Sequence, residues 1–92
     1  MPQKLAVVTG ANGGLGSYIC DFIAKNGVGL ILVDRDAKKS EAFASLLNGK
    51  YPGVVKGTFA VDLASHQDIR RTTSEILATF PRIDYLFNNA GV

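Results

Sequence analysis

Thr9-Gly10-Ala11-Asn12-Gly13-Gly14-Leu15-Gly16 decides how this chain is read. An apolar run, Leu5-Ala6-Val7-Val8, leads into the stretch, and a segment of helical periodicity leaves it. Glycine lacks a Cβ, so a glycine-rich turn between a strand and a helix lets backbone N–H groups approach an anion closely. The unpaired N–H groups and the positive dipole end of the following helix then favour a diphosphate there. The stretch predicts a dinucleotide-binding half, and the surrounding chain has to supply the rest of it.

Outward from the turn, residues 4–9 read as a buried strand. From Gly14 to about Asn26, Leu15, Ile19, Phe22 and Ile23 recur at helical spacing and predict the inner face of a first helix. Gly27 stands where a helix-ending glycine belongs. Val28-Gly29-Leu30-Ile31-Leu32-Val33 is continuously apolar, as a strand covered on both faces is, and it runs into Asp34-Arg35-Asp36. Residues 37–48 predict a second helix with Phe43, Leu46 and Leu47 inward, broken by Asn48-Gly49 and then Pro52-Gly53.

Residues 54–61 predict a third strand, which ends at Asp62-Leu63. Ser65 followed by Asp68 has the spacing of a capping box, in an acidic variant. The third helix carries Ile69, Thr73, Ile76, Leu77 and Phe80 on one side until Pro81 stops it. Ile83-Asp84-Tyr85-Leu86-Phe87 predicts a fourth strand that delivers Asn88-Asn89-Ala90-Gly91. The fold class is therefore α/β: a partial Rossmann (doubly wound) parallel sheet, β-α-β-α-β-α-β, with strand order 3-2-1-4. Four turns then meet at the carboxyl edge of that sheet: residues 9–16, Asp34-Arg35, Asp62-Leu63 and 88–91.

Composition bounds the rest. The chain has 92 residues, 47% hydrophobic and 20% charged, with a formal net charge of +2. That is at most one small domain of ordinary globular composition. Its basic residues are scattered, with Lys38-Lys39 and Arg70-Arg71 as pairs and no stripe, which argues against nucleic acid as a partner. No apolar run is long enough to span a membrane, and Met-Pro-Gln-Lys does not resemble a signal peptide. The single cysteine, Cys20, reads as a buried apolar residue, and the expected compartment is reducing and cytoplasmic. His66 and the acids Asp36 and Asp68 read as surface or helix-start residues. Tyr18, Tyr51 and Tyr85 read as packing residues. No spacing suggests a metal site.

Three features together resemble the short-chain dehydrogenase/reductase family, classical branch. They are the Thr-Gly-x-x-x-Gly-x-Gly turn, the acid at the end of the second strand, and Asn-Asn-Ala-Gly after the fourth. Gly10, Gly14 and Gly16 fit the classical spacing. Gly10, Gly13 and Gly16 fit that of the extended branch, which includes nucleotide-sugar epimerases. The resemblance implies a tight turn at Gly10, pyrophosphate contact at Gly14 and Leu15, and close helix–strand packing at Gly16. Asn12 is implied near the adenosine ribose or its phosphate, and Asp34 on the ribose hydroxyls. Asp34 disfavours a 2′-phosphate and so implies NAD, whereas Arg35 can pair with that phosphate and leaves NADP as the alternative. Asp62 and Leu63 are implied at the adenine ring. Asn89, Ala90 and Gly91 are implied along the ribose and as a tie for the sheet.

In this family the chemistry belongs to a later serine and a Tyr-x-x-x-Lys motif. Four positions after Tyr18, Tyr51 and Tyr85 stand Phe22, Val55 and Asn89, so these residues hold no such motif. The expectation is the N-terminal portion, residues 1–92, of an NAD(P)-binding Rossmann domain truncated after its fourth strand. It belongs to an oxidoreductase acting on an alcohol or carbonyl, and the full-length form is expected to be a homo-oligomer. The 92 residues are expected to be inactive alone, and marginally stable or self-associating through an apolar fourth-strand edge. A non-catalytic dinucleotide-binding module is the alternative, with an epimerase fragment behind it.

Overall fold

The computed structural model describes residues 3–89. Seven elements alternate: β1 (Leu5–Thr9), α1 (Gly14–Lys25), β2 (Gly29–Asp34), α2 (Ala37–Lys50), β3 (Val55–Ala60), α3 (His66–Thr79) and β4 (Tyr85–Asn88). The strands form one parallel sheet in the order β3-β2-β1-β4, as the sequence predicts. Val7 stands opposite Ile31 of β2 on one side and Leu86 of β4 on the other.

Strand side chains alternate between faces, and two core clusters follow from that period. Ala6, Val8, Leu30 and Leu32 pack with Cys20, Ile23 and Ala24 of α1 and with Ala44 and Leu47 of α2. Val7, Ile31 and Val33 face the other way and pack with Val61 and with Ile76 of α3. Burial pushes the Cys20 thiol up to about 12, so it behaves as a small apolar filler.

The helix faces depart from the periodicity reading. In α1, Leu15 and Phe22 are exposed, and the buried residues are Gly16, Cys20, Ile23 and Ala24. These are smaller on average, and they let α1 lie close to the sheet, which turns the bulky Leu15 and Phe22 outward. In α2, Leu46 is exposed while Ser40, Ala44 and Leu47 are buried and Phe43 is half-buried. Asn48-Gly49 does not break α2, which continues to Lys50; the Asn48 Oδ1 accepts from the Val55 N–H at 2.9 Å and pins the start of β3. In α3, Thr72 and Ile76 are buried, and Thr73 and Leu77 are exposed. Tyr18 is exposed rather than packed, whereas Tyr51 packs against the first cluster.

Local signals act where the sequence places them. Gly27 ends α1: its N–H donates to the Ala24 carbonyl at 3.0 Å and the Val28 N–H to the Ile23 carbonyl at 3.3 Å. Asp84 ties β4 to β1, since its Oδ2 accepts from the Leu5 N–H at 2.9 Å and its own N–H donates to the Leu5 carbonyl at 2.9 Å. That Leu5 N–H, followed by the Arg82 guanidinium, holds the Asp84 carboxyl below the usual carboxylate range. Tyr85, Leu86 and Phe87 of β4 remain exposed.

Candidate functional site

The carboxyl ends of the strands gather the predicted turns at one edge of the sheet. Gly10 has φ +63°, a left-handed conformation that side-chain-bearing residues rarely adopt. Its N–H donates to the Val33 carbonyl at 2.9 Å, and its carbonyl accepts from the Gly13 N–H at 3.1 Å. A Cβ on Gly16 would fall on that same Gly10 carbonyl and 3.0 Å from Ala11 backbone atoms, so only glycine lets α1 start this close to β1. Among the described residues, a Cβ on Gly14 would meet nothing within 4 Å, and Gly14 is exposed.

The three helices begin differently. Asp36 caps α2 by accepting from the Lys39 N–H at 3.1 Å, and Ser65 caps α3 by accepting from the Asp68 N–H at 3.2 Å. Among the described residues no side chain caps α1, and its first turn carries no acid. Its leading N–H groups therefore lack a described side-chain acceptor and sit at a positive dipole end. That donor set fits a diphosphate.

Asp34 is held by two backbone groups. Its Oδ2 accepts from the Asn12 N–H at 2.9 Å and its Oδ1 from the Arg35 N–H at 2.9 Å, which joins the end of β2 to the glycine turn. Each oxygen accepts one of these bonds and keeps further lone-pair capacity. Asn12, Gly13, Asp34, Arg35, Lys38 and Lys39 line a cleft of about 760 Å³ there. Lys38 and Lys39 were not singled out by sequence as site residues, and their place on the first turn of α2 is the signal that could have found them.

The remaining predicted residues divide. The Asn89 N–H donates to the Thr9 hydroxyl at 3.0 Å and its Nδ2 to the Gly10 carbonyl at 3.2 Å, so Asn89 ties β4 to the glycine turn. Leu63 lines an apolar slot of about 270 Å³ with Thr9, Val33, Ile76 and Asn88. Asp62 borders a separate recess with Ser65, Asp68 and Arg71. The structure thus does not bring Asp62 and Leu63 into one recess with Asp34. Leu15 and Gly14 lie open on the turn and line neither. Ala90 and Gly91 lie outside the described residues.

Asp68 departs from the capping-box expectation. Its Oδ2 accepts from the Asp62 N–H at 2.6 Å rather than from Ser65, whose N–H donates to the Asp62 carbonyl at 3.0 Å. The Asp62 N–H and then the Arg71 guanidinium hold the Asp68 carboxyl below the usual carboxylate range. His66 is exposed at the start of α3, outside the cleft. Among the described residues, no helix is long and apolar enough to cross a membrane.

Known proteins share this geometry. The family model for short chain dehydrogenases matches residues 4–92, and the chain belongs to that family. Retinol dehydrogenase 13 of Homo sapiens is 38% identical over 92 residues, all of this chain and 28% of that protein. An NAD+-bound xylitol dehydrogenase superposes with a TM-score of 0.85 at 30% identity, covering 97% of this chain and 34% of the other. A metagenomic short-chain oxidoreductase in complex with NADP superposes with a TM-score of 0.86 at 34% identity, covering 97% and 39%. The chain spans roughly a third of the length of the curated relatives it matches, and it corresponds to the N-terminal portion of these oxidoreductases.

Proposed function

We propose that this chain binds the adenosine and diphosphate half of a nicotinamide dinucleotide, within a protein that interconverts an alcohol and a carbonyl. The observation that carries the reading is the acid-free start of α1, which no described side chain caps, beside two helices that are capped. Gly10 and Gly16 shape the turn, and Gly14 and Leu15 present their N–H groups to the diphosphate. Asn12 and Asp34 meet the adenosine ribose. Asp62 and Leu63 meet the base, with Asn89, Ala90 and Gly91 alongside.

The bound dinucleotide supplies a hydride acceptor or donor. This chain's residues bind and orient its non-reacting half. They hold no Tyr-x-x-x-Lys motif, and we infer that they perform no turnover alone. We further assign residues 1–92 to the first part of a larger dinucleotide-binding domain. β4 then acts as an open edge, and sedimentation of the isolated chain should show association that rises with concentration. A reducing, cytoplasmic setting and a homo-oligomeric full-length form complete the reading.

NAD is the proposed cofactor, because a carboxylate at the ribose repels a 2′-phosphate. One observation favours NADP as a second reading: Arg35, Lys38 and Lys39 line the same cleft as Asp34. Calorimetric titration of the natural product with NAD+ and NADP+ separates the two. NAD+ is expected to bind more tightly. Arg35→Ala is expected to weaken NADP+ several-fold and leave NAD+ unchanged. Tighter NADP+ binding by the wild type would reverse the assignment.

A further inference from the structure

We infer that Asp68, locked by Arg71, is a positioning residue that holds Asp62 ready for the amino group of adenine. The inference rests on the dinucleotide reading above and deepens it. An acid at the third position of a helix ordinarily reaches back to the N–H of its own cap. Asp68 bypasses Ser65 and takes the Asp62 N–H three residues further back, at 2.6 Å.

Asp62 is thereby fixed at three polar groups. Its N–H goes to Asp68, its carbonyl accepts from the Ser65 N–H at 3.0 Å, and its Oδ1 accepts from the Ala64 N–H at 3.0 Å. Among the described residues no hydrogen bond engages its Oδ2, and the residue is exposed, so that oxygen remains an acceptor. Asp68 is in turn held on its other oxygen. Arg71 donates to the Asp68 Oδ1 from Nη2 at 2.7 Å and from Nε at 3.1 Å, while its Nη1 donates to Glu75 at 2.8 Å. Arg71 Nη2 also reaches the Ala60 carbonyl at 3.5 Å, so the end of β3 and the first turns of α3 share one network. A carboxylate oxygen aimed by such a network accepts from an exocyclic amine and repels a carbonyl in the same place.

Base preference is the readout, because a merely structural acid would not move it. The natural product is titrated with NAD+ and with nicotinamide hypoxanthine dinucleotide, in which a carbonyl replaces the adenine amine. Wild type is expected to favour NAD+ by about three- to tenfold, the worth of one partly exposed hydrogen bond. Asp68→Ala is expected to shrink that preference below about twofold by weakening NAD+ alone, whereas Asp68→Asn, which keeps an acceptor, preserves most of it. Should the alanine variant not fold, Arg71→Gln on the exposed side of α3 tests the same link and should lower the preference without weakening the hypoxanthine form. Equal weakening of both nucleotides, or an unchanged preference, overturns the inference. Wild type binding both forms equally removes Asp62 from the base and the inference with it, while leaving the dinucleotide reading standing. Wild type binding neither form overturns that reading as well.

Discussion

β2 and β4 are built from sequence of the same kind and end in opposite environments. Leu30-Ile31-Leu32-Val33 and Tyr85-Leu86-Phe87 are both unbroken apolar runs, and both strands pair in parallel with β1. Leu30, Ile31 and Leu32 are nevertheless 0% exposed, while Leu86 is 68% exposed. β2 lies between β1 and β3, under α1 and α2 on one face and α3 on the other. β4 has β1 along one edge, and among the described residues no strand pairs with its other edge. An apolar strand records that its residues are suited to burial. Whether burial is achieved depends on which other elements reach it, and that is set at the level of topology rather than of the strand.

Breaking the contrast begins where the expected effect is largest. Ile31→Ala removes a side chain from a closed core and is expected to cost about 2–5 kcal/mol in denaturant unfolding. Leu86→Ala in the same experiment is expected to cost less than about 0.5 kcal/mol. Similar losses at the two sites would mean that β4 is as well covered as β2.

A smaller effect is expected at the glycine turn, where α1 closes on β1. Gly16→Ala places a methyl group on the Gly10 carbonyl. It is expected to destabilise by about 1–3 kcal/mol, as overpacking does, whereas Gly14→Ala meets no neighbour among the described residues. The cap of α3 comes next: Ser65→Ala is expected to cost about 1 kcal/mol. The uncapped α1 offers no equivalent loss, so a thermal scan of both helices' caps sharpens the difference between a helix start kept for structure and one left open.

The smallest expected effect is in acid. Asp84, which fastens β4 to β1, and Asp68 have carboxyls held below the ordinary range in the fold. The unfolded chain therefore takes up their protons first as pH falls. Their contribution is complete above the ordinary aspartate value of about 3.9 and is lost as acid passes through the lower folded values. The stability gap between wild type and Asp84→Asn should accordingly narrow as pH falls below about 4. A gap that widens in acid would contradict this sign.

Strand order and the gathering of turns were legible in the sequence because apolar runs, glycine turns and a cap residue are local signals. Helix facing was not. Leu15, Phe22 and Leu46 fit helical spacing, yet the contact at Gly16 brings α1 so near the sheet that small residues occupy the interface. Asn48 reads as a breaker, and its real partner, the Val55 N–H, lies beyond the turn. Of the site, Gly10, Gly16, Asp34 and Asn89 were readable as positions. Their hydrogen bonds to one another were not, because Asp34 and Asn12 meet only after β1 and β2 pair, and Asn89 meets Gly10 only through β4. The reach of Asp68 to Asp62 was hidden by a capping pattern that suggested a nearer partner.

On the function proposed above, the start of α1, with Asp34 beside it, receives a nicotinamide dinucleotide. Backbone amide shifts of the natural product, recorded during titration with NAD+, test it most directly. Saturable changes are expected, centred on residues 10–16, Asp34, Asp62-Leu63 and Asn89. Absence of saturable change, or changes confined to residues away from the carboxyl ends of the strands, would contradict it.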